Sequence, residues 1–195
     1  MAASTPVSSG LIPELAELRR QFEFIDQEAI SLTEGLTEAQ FNWRPDAGSW
    51  SICECLGHLL ITGEAMCRGV DAALENPANA GRKGHPPFRY PVIQRWIVKA
   101  SQPEASLRLR APRRFHAAGG QPITAVLPTF RNLQQKFILR IEQANGLDLA
   151  AIKVLTPVTR IYRFSLGMIF AQVAAHSRRH LAQARRVRQH AHFPK

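Results

Sequence analysis

Two histidines near the carboxyl end of the chain have the spacing that metal sites use on helices. Of the seven histidines, only His176 and His180 stand four residues apart, in the segment His-Ser-Arg-Arg-His. Positions i and i+4 of an α-helix lie about 40° apart and one turn apart along the axis, so two imidazoles can bind one ion. Ser177 stands where the protease-type His-Glu-x-x-His motif has its glutamate, so that motif is absent.

A helical wheel places both histidines on the inward face of the last predicted helix. With Val173 at 0° and about 100° per residue, His176 falls at about −60° and His180 at about −20°. The apolar side chains share this face, and most arginines of the segment fall on the opposite one. A buried imidazole must find partners for both nitrogens. A single inward histidine usually does so as a hydrogen-bonded core residue; for this pair, a metal and a core role remain equally open.

The positions of the other histidines do not select a third ligand. On the second predicted helix the main apolar stripe contains Ile52, Leu56 and Leu59, and His58 lies to one side of that stripe. Periodicity therefore gives no reason to prefer His58 over His85 or His116.

Four long amphipathic segments must position these residues. They run over about 13–35, 51–74, 126–143 and 165–190, with a shorter helix after Pro91. Ser49 or Ser51 caps the second long helix, and Glu54 completes a capping box with Ser51. Roughly 50 residues separate the second and third long helices, far more than the connection of antiparallel neighbours needs. We predict an all-α four-helix bundle with a long crossover, and a single domain over residues 11–195 that follows a flexible tail at residues 1–10.

Charge is unevenly distributed along the 195 residues, and the formal net charge is +10. Residues 1–97 hold 12 acids and 8 bases, whereas residues 98–195 hold 3 acids and 17 bases. Such asymmetry favours either a polyanionic partner or an intrachain match between an acidic first helix and a basic last helix. A nucleic-acid or polyanion binder is the alternative function, although the arginine run of residues 178–188 lacks interleaved aromatic residues.

Cysteine usage and hydropathy predict a cytoplasmic, soluble protein. Cys53 and Cys55 point about 200° apart on one helix and cannot form a disulfide with each other. The amino terminus lacks the basic and apolar regions of a signal peptide. The longest mostly apolar stretch, residues 166–175, is too short to span a bilayer.

Two segments resemble one known family. The segment WRPDAGSWS at residues 43–51, followed by a helix that reaches His58-Leu59, is similar to the start of the second long helix in the DinB/YfiT-like superfamily of metal-dependent hydrolase type. The segment AAHSRRHLAQARRV at residues 174–187 resembles the last helix of the same family, and FRYP at residues 88–91 and LRAP at residues 109–112 resemble its connectors.

The resemblance implies a bundle of up-down-down-up order, a homodimer, and three metal ligands, His58, His176 and His180. The implied cofactor is a divalent transition metal, namely zinc, nickel or iron. The implied activity is that of a thiol S-transferase or a hydrolase, in which the ion activates either a water molecule or the thiolate of a low-molecular-weight thiol. A non-catalytic, stress-related binding module remains a further alternative.

Other residues of the site are weaker predictions. Gln183 lies beside His176 on the wheel and would orient a ligand, although a surface glutamine fits equally well. Glu54 and Cys55 lie close to His58 in sequence, but a helix cap and a small core residue are the more ordinary roles for them. No residue is selected as a general base.

Overall fold

The computed structural model describes residues 10–105, 111–156 and 162–195. Most of the expected tail, residues 1–9, and part of the LRAP connector, residues 109 and 110, lie outside the described residues.

Four long helices form the molecule, and all four were predicted to within about three residues at each end. They are α1 (Pro13–Thr33), α3 (Ile52–Leu74), α6 (Ile123–Gln143) and α7 (Leu166–Arg188). Shorter helices lie between them: α2 (Glu38–Asn42), α4 (Pro77–Ala80), α5 (Val92–Ala100) and a 3₁₀ turn at Arg113–Phe115.

Local sequence explains where α1 and α3 begin and end. Pro13 opens α1, and Gly35, with φ of 73°, follows its carboxyl end in the left-handed conformation that glycine adopts without strain. Ser51 caps α3: its Oγ accepts from the Glu54 N–H at 3.1 Å, and the Glu54 carboxylate accepts from the Ser51 N–H at 2.9 Å. The predicted capping box is therefore confirmed, with Ser51 and not Ser49 as the cap.

Each long helix packs against two others, so that α1 and α3 both lie between α6 and α7. Ion pairs show that α3 and α6 run parallel: Glu64 pairs with Lys136 at 2.7 Å, and Asp71 pairs with Arg140 at 2.7 Å. On the other side of the bundle, Asp26 pairs with Arg131 at 3.1 Å.

A second ion pair between α1 and α6 joins Arg19 to Glu142. Compared with the pair of Asp26 and Arg131, the residue number is lower on α1 and higher on α6, so these two helices run antiparallel. In contrast, α1 and α7 run parallel, because Gln21 accepts from Arg178 and the Ser31 carbonyl accepts from Arg188. The predicted up-down-down-up order is confirmed.

Apolar side chains from all four long helices fill the interior. Phe22 of α1 and Phe137 of α6 stack with ring centroids 5.0 Å apart, and both side chains are fully buried. No helix among the described residues is long and apolar enough to cross a bilayer.

A two-stranded antiparallel ribbon precedes α7 and was not predicted. Its strands, β1 (Lys153–Leu155) and β2 (Arg163–Ser165), are each three residues long, which is too short to produce a recognisable alternation of apolar and polar residues. The ribbon packs on α3 at Gly69, where a Cβ atom would lie 2.9 Å from the Leu155 carbonyl oxygen. Glycine at this position therefore lets the two backbones approach closely.

The arginines of α7 mostly bind other parts of the same chain. Arg178 donates to Gln21 and Gln102, Arg185 pairs with Glu28, and Arg188 donates to three carbonyl oxygens at the end of α1. Arg179 donates to the Ala100 carbonyl at 2.9 Å. The intrachain explanation of the charge asymmetry therefore accounts for much of this helix.

Candidate metal centre

Three histidines meet inside the bundle between α3 and α7. His58 comes from α3, and His176 and His180 come from α7. One nitrogen from each ring can be chosen so that all three lie within 4.8 Å of one another. His58 is only 2% exposed, while His176 and His180 are partly exposed. The structure thus brings together the three residues that the family resemblance selected.

The His58 ring is held in one orientation by a backbone carbonyl from the crossover. Its Nδ1 lies 2.8 Å from the carbonyl oxygen of Phe115, at the end of the 3₁₀ turn. Because a carbonyl only accepts, Nδ1 carries the proton, and Nε2 presents its lone pair to the other histidines. The Nε2 atoms of His58 and His176 lie 3.3 Å apart.

Gln183 gives His180 the same kind of support. The His180 Nδ1 lies 3.0 Å from Oε1 of Gln183, one turn further along α7. When Nδ1–H donates to this oxygen, the His180 Nε2 atom is left as the acceptor. Gln183 was expected beside His176, and its hydrogen bond is instead to His180.

One pair of ring nitrogens has the separation that two ligands of a shared transition-metal ion require. Imidazole nitrogens bind zinc at about 2.0–2.1 Å, so two ligands separated by about 90–110° at the ion lie about 3.0–3.4 Å apart. The observed 3.3 Å between the His58 and His176 nitrogens falls in this range. Acceptors on the outer nitrogens of His58 and His180 are the supporting contacts that metal-binding histidines usually make.

Burial keeps the three imidazoles neutral, which is the form that binds metal. Desolvation lowers the pKa of His58, against the opposing effect of the Phe115 carbonyl. It lowers the pKa of His176 well below its usual value, with a further contribution from the neighbouring His180 and His58. The pKa of His180 falls to about 3, chiefly through desolvation and then through repulsion by His58.

Trp50 forms an aromatic wall of the site and was not predicted as a site residue. Its ring lies 4.9 Å from the His58 ring and stacks on His180 at 5.6 Å, measured between ring centroids. The exposed His116 contacts the outer side of Trp50 at 5.5 Å and does not join the three-histidine group. Trp50 precedes α3 and lies outside any helical pattern, so only its place in the WRPDAGSWS segment could have indicated this role.

The two other weak predictions have different surroundings. The Glu54 carboxylate accepts from Arg44 at 2.7 Å and from the Ser51 backbone, so it holds the start of α3 in place. Cys55 is fully buried, and desolvation raises the pKa of its thiol to about 12, which disfavours the thiolate that a metal requires. Among the described residues, neither side chain belongs to the group that could hold an ion.

Comparisons with known proteins agree with this architecture. A model of the DinB superfamily matches residues 21–184 of the chain. Among solved structures, the chain is similar to YfiT from Bacillus subtilis, described as a probable metal-dependent hydrolase with an unusual four-helix bundle topology. The TM-score is 0.60 at 13% sequence identity, over 97% of this chain and 94% of that one, so this likeness shows the fold. No curated protein sequence matches the chain significantly.

Proposed function

The chain belongs to the DinB superfamily, and from this premise we propose that it is a metal-dependent enzyme whose ion is bound by His58, His176 and His180. The observation that carries the proposal is the convergence of three imidazole nitrogens in the core, within 4.8 Å of one another. The three rings meet edge to face, and without an ion the Nε2 atoms of His58 and His176 would have each other as partner, 3.3 Å apart, which is a costly arrangement to bury.

The chemistry follows from the number of protein ligands. Three histidines leave at least one coordination position for water or substrate, which is typical of catalytic sites and not of structural ones. A divalent ion bound there would supply Lewis acidity, either for hydrolysis or for activation of a low-molecular-weight thiol.

The surrounding residues hold and shield this site. The Phe115 carbonyl and the Gln183 amide fix the tautomers of His58 and His180, so that both Nε2 atoms face inward. Trp50 stacks on the His180 ring and contacts the His58 ring, and it would limit the access of water from its side. No carboxylate joins the three-histidine group in the described part of the chain.

Elemental analysis of the purified protein tests the ligand assignment. We expect about one transition-metal ion per chain in the wild type and a loss of most of it in His58→Ala, His176→Ala and His180→Ala. His116→Ala is the matched control, since this exposed imidazole is adjacent to Trp50 but lies outside the group. Stoichiometric metal in both α7 variants would show that the assignment is wrong.

Cobalt substitution separates the two reaction types. We expect a physiological thiol to change the visible spectrum of the cobalt-loaded protein and to support turnover with an electrophile such as a bimane. If no thiol does either, thiol transfer is excluded and ester or amide hydrolysis becomes the reaction to screen.

We also propose that the chain forms a homodimer, an expectation that rests on the family resemblance. Light scattering coupled to size-exclusion chromatography should give twice the 21.8 kDa of one chain. A mass of one chain at micromolar concentration would contradict it.

A further inference from the structure

A cavity lined by basic residues lies away from the three histidines. Its volume is about 620 Å³, within the range of small-molecule sites, and it opens between α3, the β1–β2 ribbon and the 3₁₀ turn. Four of its lining residues are cationic, and none is acidic: Arg68, Arg114, Lys153 and Arg163.

Two of these cations, Arg68 and Arg163, have no acidic partner in the described part of the chain. Within residues 10–105, 111–156 and 162–195, neither the Arg68 nor the Arg163 side chain forms an ion pair or a hydrogen bond. Lys153 donates to the Ala150 carbonyl and to the Ser165 hydroxyl, which orient its ammonium group without neutralising it. Positive charges gathered on a concave surface attract anions more strongly than the same charges spread over a convex one.

A neighbouring cavity differs, because its arginine has an acidic partner. The second cavity, of about 410 Å³, is lined by Asp71, Glu75 and Arg140 among others. There the arginine pairs with Asp71 at 2.7 Å, so its charge is balanced within the protein.

The other lining residues contribute polar donors and apolar surface. Asn76 and Asn79 contribute amides, while Ala65, Ala72 and Leu155 contribute apolar surface. Gly69 keeps the ribbon close to α3, because its missing Cβ leaves room for the Leu155 carbonyl. A ligand of this cavity therefore combines an anionic group with an apolar portion.

We propose that this cavity binds a small molecule in which a phosphate or carboxylate group is joined to an apolar portion. Arg68 and Arg163 bind the anionic group, since guanidinium groups match both anions with paired hydrogen bonds. The site does not depend on a metal ion. It begins seven residues along α3 from His58, about 10 Å along the axis, and Phe115 contributes to both places.

Calorimetric titration of the full chain in 150 mM salt tests the proposal. Phenyl phosphate and isophthalate serve as the two probes, because both join an anionic group to a ring, and benzyl alcohol is the neutral control. We expect one anion per chain to bind, and the tighter of the two probes identifies whether phosphate or carboxylate is recognised. Absence of binding by both anions, or equal binding of benzyl alcohol, would overturn the proposal.

Two variants locate the binding. The double variant Arg68→Gln/Arg163→Gln should weaken binding about tenfold or more, because it removes the paired charged donors. Arg89→Gln/Arg95→Gln removes the same charge from exposed positions outside the cavity and should change affinity less than twofold. An equal loss in both double variants would show unspecific attraction and refute the site.

Ala72→Phe tests the cavity without changing any charge. Ala72 is an exposed lining residue, so a larger side chain fills the cavity and leaves the core intact. Binding should fall about tenfold or more by exclusion of the ligand. Unchanged affinity in this variant would place the anion elsewhere and contradict the proposal.

Discussion

At the scale of single residues, the site depends on which ring nitrogen carries a proton. His58 and His180 each donate Nδ1–H to an oxygen outside the cluster, at 2.8 Å and 3.0 Å. These two contacts turn the Nε2 lone pairs inward before any ion binds, which reduces the reorganisation that binding requires.

Replacing Gln183 should therefore weaken metal binding while the three ligands remain in place. We expect Gln183→Leu to lower zinc affinity by about 10- to 100-fold, because the His180 ring loses the acceptor that fixes its tautomer. Competition with a chromophoric chelator measures this. Gln189→Leu, at the exposed end of α7, is the control and should leave the affinity unchanged.

Trp50 should report metal binding through its fluorescence. Its ring lies within 6 Å of the His58 and His180 rings, so a paramagnetic ion such as cobalt should quench it. Trp50→Phe should remove most of the fluorescence change, whereas Trp96→Phe, at an exposed position on α5, should retain it. A full response in Trp50→Phe would mean that the ion binds elsewhere.

At the scale of elements, the start of α3 and the crossover together position His58. The capping box of Ser51 and Glu54 fixes where α3 begins, and Arg44 anchors the same carboxylate. The crossover then packs against α3 at Gly57, where a Cβ atom would lie 2.5 Å from the Ala117 Cβ. This close contact lies next to His58 and its acceptor, Phe115.

Removal of the buried cap should destabilise the protein. Ser51 is fully buried, and we expect Ser51→Ala to lower the free energy of unfolding by about 1–2 kcal/mol, because the Glu54 N–H loses its acceptor. Urea denaturation measures the change. Thr37→Ala removes an exposed cap of the same type from α2 and should cost less, and the reverse order would contradict this account.

The Gly57 contact predicts coupling between packing and metal binding. Gly57→Ala should weaken zinc binding and destabilise the fold by about 1–3 kcal/mol, because its methyl group pushes the Phe115 segment away from α3. Adding Ala117→Gly should restore both properties, since it removes the atom that clashes. Equal effects of Gly57→Ala in both backgrounds would show that the contact does not matter.

At the scale of the whole molecule, three neutral histidines in one bundle core make stability depend on pH. The pKa values of these histidines are lower in the folded protein than in the unfolded chain. Below about pH 6.5 the unfolded chain therefore binds protons that the folded protein does not bind. The free energy of unfolding is therefore unaffected by these histidines above their unfolded pKa of about 6.5. It decreases as the pH falls toward their pKa values in the folded protein, which is about 3 for His180.

For the metal-free protein, we expect the free energy of unfolding to fall from pH 6.5 to pH 5, with up to about three protons taken up on unfolding. His176→Asn/His180→Asn should reduce this uptake by up to about two protons, or about 2.7 kcal/mol per pH unit. Urea denaturation at several pH values in the presence of a chelator measures the slope. His116→Asn, at an exposed position, should leave the slope unchanged, and a similar effect of both variants would contradict the assignment.

The sequence alone determined the parts of this protein that local chemistry specifies. The four long helices and their ends were predictable because their signals depend only on neighbouring residues. These signals are the helix periodicity, the Ser51 cap and Gly35. The same local periodicity placed His176 and His180 on one inward face of α7, and the long crossover indicated that α3 and α6 run parallel. His58 was chosen only through the family resemblance, because nothing in the pattern of α3 distinguished it.

Only the tertiary structure decided which groups surround the histidines. The His58 ring meets Phe115 across 57 residues and His176 across 118 residues of sequence, and helical periodicity carries no information over such separations. Trp50 and the basic cavity arise in the same way, from segments that are irregular or very short in sequence. Their positions depend on how the helices, the crossover and the ribbon pack, since packing brings distant residues together and local propensity does not.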